Sequence, residues 1–236
     1  MSVPRNRLLG ALPPAELQAF RPHLERVELG QREALFEPDV PIAFVYFPET
    51  SVVSLTSVLR DGGTVEIGTS GREGMAGLPV FLGEDASTIR GFAQIPGTAI
   101  RIEAAAFARL ASSSGPFHAL LLRYTQAFLT QVAQTAACNG AHLLEQRCAR
   151  WLLMTHDRVD GDEFPLTHEF LAFMLGVRRA GVTLAMGGLQ EAQLVRYVRG
   201  RVSVIDRAGL ERASCECYGV VRAQYERLFG RDSVGS

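Results

Sequence analysis

The 236-residue chain has 24 basic and 25 acidic side chains, a formal net charge of −1, 47% hydrophobic residues and 21% charged residues. This is the balance of a globular protein of one large or two ordinary domains, and it excludes a chain that is basic throughout. No apolar run approaches the roughly 18 residues needed to span a bilayer. Pro13, Pro14 and Glu16 also cut the run after Arg5 and Arg7 too short for a signal peptide, so a cytoplasmic protein without membrane contact is expected.

Taken in order, Asn6 to Phe20 reads as a short helix whose main turn opens at Pro13-Pro14. The pattern then changes to short extended runs: Arg26–Leu29, Glu33–Phe36, Ala43–Phe47, Ser51–Leu59, Thr64–Thr69, Gly91–Ile95 and Thr98–Ile102. Asp61-Gly62-Gly63 reads as a hairpin turn between two of them. Short strands at such regular spacing predict a small antiparallel barrel or jelly roll. No histidine lies between His23 and His118, and no cysteine precedes Cys138, so this half lacks ligands for a cupin-type metal, an iron–sulfur cluster or a thiolate-bound haem. A sensor or scaffold is expected there rather than a catalyst.

A long helix is expected from Pro116 to about Ala137, with Phe117, Leu120, Leu121, Tyr124, Phe128, Leu129 and Val132 as its apolar stripe. One face would pack on the barrel and another on a second copy of the chain. A further helix, about His142 to His156, carries Arg147, Arg150 and Trp151, and Asp157 to Phe164 reads as an exposed linker. His142 and His156 read as surface or hinge residues.

Leu166 to Leu189 holds two short helical patterns flanking Gly176. Leu171, Ala172 and Leu175 share one face of the first, and Val182, Ala185 and Leu189 one face of the second. Thr167 suits an N-cap, and Gly176 suits a tight inter-helix turn. Outward on the second helix stand Arg178, Arg179, Gly181 and Thr183. An arginine fork reaches both acceptors of guanine, and threonine bonds phosphate or touches a thymine methyl.

An ordinary helical hairpin with two solvated arginines is the alternative. The residues after the second helix favour DNA: Leu194–Tyr197 and Arg201–Ile205 read as strands around Val198-Arg199-Gly200, a basic hairpin that completes a winged helix-turn-helix. From Arg178 to Arg212, seven arginines face only Glu191, Asp206 and Glu211, a local net of +4. Base contacts are expected from Arg178, Arg179 and Thr183, and phosphate contacts from Thr167, His168, Arg199 and Arg201.

Ala208 to Phe229 reads as one final helix, with a frayed tail from Gly230. Cys138, Cys148, Cys215 and Cys217 fit no zinc spacing; inert buried thiols are expected, a redox switch is the alternative, and no metal or other cofactor is assigned.

In this order of elements the chain resembles the Crp/Fnr family of bacterial transcription regulators over nearly its full length. The resemblance is carried best by Glu145-Gln-Arg-Cys-Ala-Arg-Trp-Leu-Leu153, Leu166-Thr-His-Glu-Phe-Leu-Ala172, Met174-Leu-Gly-Val-Arg-Arg179 and Tyr197-Val-Arg-Gly200. It implies an α+β fold: a cyclic-nucleotide-binding-like sensor barrel over 1–115, a dimerisation helix over 116–140 and a winged-helix DNA-binding domain over 141–236. It also implies a homodimer on inverted-repeat double-stranded DNA, RNA polymerase as a further partner, and no enzymatic activity.

In the sensor half, Asp61-Gly62-Gly63 and Gly71 to Leu82 sit where the family has its nucleotide-binding turns. The effector pocket would include Gly77, Leu78, Ser87, Thr88 and Arg90. Members that bind a cyclic nucleotide have Gly-Glu for the ribose and Arg-Ser for the phosphate. Here Leu78 follows Gly77, and Ser87-Thr88 holds no arginine, so the small-molecule effector is unknown and cyclic AMP is not expected. On the recognition helix, Ala180 and Leu184 depart from the family's usual charged residues. The rival reading is a small-molecule-binding module that acts through a protein partner and carries a degenerate DNA domain.

Overall fold

The computed structural model describes residues 4–60, 63–112 and 115–230. Contacts divide the chain into two units. The first holds residues up to Leu55, Gly68–Leu129 and the chain from Gln224 onward; the second holds Thr56–Ile67 and Thr130–Ala223.

In the first unit, α1 (Arg7–Gly10) and α2 (Pro14–Phe20) replace the single helix expected over 6–20. The residue before a proline is disfavoured in the α region, and Pro13 and Pro14 have no N–H to donate, so the helix restarts there. Asn6 caps α1, its side-chain oxygen accepting from the Leu8 and Leu9 amides. Its amide group donates to the Pro48 and Gly74 carbonyls at 2.9 and 2.8 Å, which leaves this buried side chain fully satisfied.

The strands are β1 (Glu25–Leu29), β2 (Ala34–Phe36), β3 (Phe44–Pro48), β4 (Val52–Val58), β5 (Thr64–Ser70), β6 (Ile89–Ile95) and β7 (Gly97–Glu103), with the short helix α3 (Leu78–Phe81) between β5 and β6. They form two sheets of order β1-β7-β3 and β2-β6-β4-β5, the double-sheet jelly roll that the alternation predicts. Asp61 and Gly62 of the expected hairpin turn lie outside the described residues; the strands on either side of it form as expected.

Helix α4 (Ala104–Ala111) leads to α5 (Pro116–Ala141). Most of the apolar stripe expected on α5 serves its own subunit: Phe117, Leu120, Leu121, Tyr124 and Phe128 are buried. The Tyr124 hydroxyl accepts from the Met75 amide at 3.1 Å and donates to the Met75 carbonyl at 3.0 Å, pinning the helix to the loop after β5. Among the described residues, no single helix is long and apolar enough to cross a membrane.

The second unit contains α6 (Leu144–His156), β8 (Glu163–Pro165), α7 (His168–Leu175), α8 (Arg179–Glu191), β9 (Val195–Val198), β10 (Arg201–Val204), α9 (Arg207–Ala213) and the greater part of α10 (Glu216–Phe229). Two expectations are corrected here. The linker over 157–164 ends in strand β8, which pairs antiparallel with β10 and makes a three-stranded sheet of order β8-β10-β9. The final helix is two helices, broken where Ser214 turns to extended backbone and its hydroxyl donates to the Glu211 carbonyl at 2.8 Å.

Candidate nucleic-acid interface

Helices α7 and α8 cross at 112°, within the range of helix-turn-helix pairs. The sequence builds this turn from three devices. Thr167 caps α7, its hydroxyl accepting from the Phe170 amide at 3.1 Å. Gly176 closes α7 in the left-handed region at φ 63°, where a Cβ would also come within 2.8 Å of the Val65 side chain. The Arg147 guanidinium donates to the Leu175 carbonyl at 2.6 Å, satisfying an orphan acceptor at the end of α7 with a positive charge that complements the helix dipole. Beneath the pair lie α6 and the strand-tip residue Glu66, whose carboxylate accepts from the Trp151 indole at 2.8 Å. Trp151 meets Phe170 edge-on, with ring centroids 6.3 Å apart.

Val182, Ala185, Met186 and Leu189 turn inward from α8, so Arg179, Ala180, Thr183 and Leu184 form its outward row, with Arg178 exposed at the N-cap. Gly181 is revised from its expected outward role: a Cβ there would lie 2.9 Å from Leu144, so this glycine permits close packing of α8 on α6. Leu184 is 79% exposed, an apolar side chain held in water on the outward row, and the residue pattern alone did not single it out as a contact.

The wing turns through Arg199 and Gly200 at φ 48° and 78°, the double left-handed conformation of a two-residue hairpin. It is fastened to the helices on both sides. The Tyr197 amide donates to Gln190 Oε1 at 2.9 Å, and the Leu166 amide donates to the Gly200 carbonyl at 2.8 Å.

His168, expected at a phosphate, joins the wing to the start of α7 and to α8. Its ring stacks on Tyr197 at 4.3 Å, Nδ1 lies 3.2 Å from the Thr183 hydroxyl, and Nε2 is closed off from solvent. Burial, then the nearby Arg179 charge, pull its pKa below the ordinary histidine value.

The seven arginines between 178 and 212 fall into two groups. Arg201 pairs with Glu163, Arg207 with Asp157 and Glu211, and Arg212 with Asp206 at 3.8 Å. Hydrogen bonds from Arg201 and then Ser203 hold the Glu163 carboxyl below the usual carboxylate range. Arg178, Arg179, Arg196 and Arg199 are exposed and make no ion pair among the described residues. Positive charge available to a ligand is therefore concentrated at the start of α8 and along the wing, where helix dipole and guanidinium groups act together.

On the first unit, Gly77 adopts φ 103° at the start of α3, Leu78 is buried, Ser87 Oγ accepts from the Ile89 amide at 3.3 Å, and Thr88 is exposed. Arg90 pairs with Glu37 at 3.1 Å. Two clefts of about 570 and 350 Å³ open on this unit, the first between Ile42, Val80 and Ala104 and the second between His23, Arg101 and Glu103. Neither is lined by the five residues expected to form an effector pocket.

The family description "Crp-like helix-turn-helix domain" matches residues 146–213, the stretch from the first turn of α6 to the end of α9. The chain has the Crp/Fnr fold. A putative Crp/Fnr-family transcriptional regulator from Eubacterium rectale superposes with a TM-score of 0.69 at 16% identity, over 89% of this chain and 98% of that one. FixK2 of Bradyrhizobium japonicum gives the same score and identity over 81% and 98%. The c-di-GMP-responsive regulator CLP of Xanthomonas campestris gives 0.62 at 16% identity over 81% and 99%. No curated protein matches the sequence closely enough to count as a relative. The matched stretch thus looks like a Crp-like helix-turn-helix domain whose outward row is Arg179, Ala180, Thr183 and Leu184.

Proposed function

We propose that the protein binds inverted-repeat operators as a homodimer, with one recognition helix in the major groove of each half-site. The observation that carries this reading is the unpaired arginine set on one face: Arg178 and Arg179 at the start of α8, Arg196 and Arg199 on the wing. Arg179 reads a guanine edge, Thr183 and Leu184 meet a neighbouring base or thymine methyl, and the wing arginines and Thr167 lie on phosphate. Half-sites lie about one helical turn apart.

Helix α5 supports the two-fold arrangement. Leu122, Gln126, Leu129, Ala133, Ala136 and Gly140 are all exposed and recur at alternating spacings of four and three, the seam of a two-stranded coiled coil. Leu122 and Leu129 are 52% and 56% exposed in the single chain, and a second copy covers both. The jelly roll acts as a sensor that shifts the population of DNA-competent dimers, and it does so without the cyclic-AMP contacts, since Leu78 stands at the ribose position and Arg90 is engaged by Glu37.

Sedimentation tests the dimer directly. The parent protein is expected to sediment as a dimer. Leu129→Arg places a charge in the seam and is expected to give a folded monomer with at least tenfold weaker binding to an inverted-repeat duplex. A monomeric parent that binds the same duplex with full affinity contradicts the proposal.

A further inference from the structure

Three of the four cysteines, apart in sequence, meet at one point of the second unit. Cys138 lies in the last full turn of α5, and the His142 amide donates to its carbonyl at 3.1 Å, so the two side chains stand one helical turn apart on the same face. Cys215 lies in the break between α9 and α10, and Cys217 in the first turn of α10. The ligating atoms of Cys138, His142, Cys215 and Cys217 all lie within 4.8 Å of one another. Cys138 Sγ is 3.5 Å from Cys215 Sγ, and Cys217 Sγ is 3.7 Å from His142 Nδ1. Zinc–sulfur bonds of about 2.3 Å at tetrahedral angles put ligand sulfurs roughly 3.8 Å apart, so these separations suit one small ion.

Two further features point to a cation. His142 Nε2 lies 3.2 Å from the Glu216 carboxylate, which orients the ring so that Nδ1 faces the thiols, the carboxylate–histidine arrangement that fixes the tautomer of a metal ligand. Arg150 is buried near Cys138 and Cys217, its Nε has no hydrogen-bond partner, and no carboxylate pairs with it among the described residues. A buried guanidinium of this kind calls for nearby negative charge, which thiolates supply and thiols do not.

We propose that Cys138, His142, Cys215 and Cys217 form a Cys₃His site for a single tetrahedral, thiolate-preferring divalent ion, with zinc the best fit. Three thiols give up their protons on binding, and neutral His142 is the fourth ligand. Three thiolates and a divalent ion leave one net negative charge, which Arg150 balances. With all four positions taken by protein, the site is structural: it clamps the end of α5 to the α9–α10 junction. Cys148 is also buried but belongs to no such cluster among the described residues, and it serves as the control.

The test is metal analysis of the full-length protein purified from zinc-supplemented culture, followed by titration of chelator-stripped, reduced protein with Co²⁺. The expected result is one zinc per chain, and cobalt spectra with thiolate charge-transfer bands and intense tetrahedral d–d bands. Cys138→Ser, Cys215→Ser and Cys217→Ser each lose zinc at least tenfold, whereas Cys148→Ser retains it. Glu216 is 76% exposed, so Glu216→Gln leaves the circular dichroism unchanged and weakens the metal by about tenfold to a hundredfold. This variant keeps the proposal testable where a cysteine variant fails to fold. His142→Cys preserves the cobalt bands with added thiolate intensity. Less than one-tenth zinc per chain with featureless cobalt spectra, or a Cys138–Cys215 disulfide recovered in place of metal, overturns the site. Cobalt bands unchanged by Cys217→Ser overturn it equally.

Discussion

The two sides of the second unit use the same residue for opposite purposes. On the α8 and wing side, Arg178, Arg179, Arg196 and Arg199 stand in solvent without acidic partners among the described residues. On the α9 side, Arg207 is enclosed by partners: its guanidinium lies 2.6 Å from His156 Nδ1, 2.6 Å from Asp157, 2.6 Å from the Tyr218 hydroxyl and 3.1 Å from Glu211. Tyr218 donates in turn to Asp157, and burial, followed by the Asp157 charge, pushes its phenol pKa upward. The difference separates a charge held ready for an outside anion from a charge consumed in joining α6, α9 and α10. Net charge along the sequence weighs both alike. Pairing tells them apart.

Breaking that distinction from the structural side produces the largest expected effect. Arg207→Ala leaves Asp157, Tyr218 and Glu211 without their shared donor, and is expected to destabilise the second unit by about 2–4 kcal/mol, at the lower end of or below the range for broken buried pairs because Arg207 is partly exposed. Chemical denaturation measures it, and the folded fraction is expected to keep its operator affinity. A variant of unchanged stability would show that this network is ornamental.

The wing sharpens the same contrast at smaller scale. Arg199→Ala is expected to lower the slope of log affinity against log salt by about one, because a free phosphate-neutralising charge is lost. Arg201→Ala removes a charge already answered by Glu163, and its slope is expected to change by less than half as much. Equal slopes would erase the division between paired and unpaired arginines. Arg201 was expected from sequence to act on phosphate as Arg199 does, and this pair of titrations decides how far it does.

The smallest effect concerns pH. With its folded-state pKa lowered by burial and Arg179, His168 resists protonation when folded and accepts it when unfolded. Its linkage is therefore flat above an unfolded value of about 6.5, and stability falls as the pH drops from there toward the lower folded value. His168→Gln is expected to reduce that acid-side loss in thermal melts between pH 7.5 and 5. An unchanged melting-temperature slope would remove His168 from the account.

Much of the fold is legible in the chain because its signals are local. Alternating apolar residues mark β1 to β7, Thr167 and Gly176 mark the ends of α7, and Arg199-Gly200 marks the wing turn. The features that escaped are set by distant partners. Strand β8 is three residues long and exists through its pairing with β10. The break between α9 and α10 has no proline or glycine to announce it. Gly181 looks outward by helical phase until Leu144 is placed against it. Arg201 finds Glu163 38 positions away, and Cys138 meets Cys215 across 77, so neither relation appears in any spacing rule. The exposed row of α5 through Leu122 and Leu129 is periodic and readable, but the heavier buried stripe beside it, including Tyr124 and Phe128, dominates the pattern.

The most direct test of the central claim is selection of bound sequences from a random duplex pool, run in parallel with the parent protein and Arg179→Ala. The account predicts an inverted repeat with half-sites about one helical turn apart for the parent. Arg179→Ala is expected to return the same motif with one position in each half-site relaxed, equivalent to about 1–3 kcal/mol of lost discrimination. Recovery of no motif by the parent, or an identical motif at every position from Arg179→Ala, would contradict the assignment of this face to base reading.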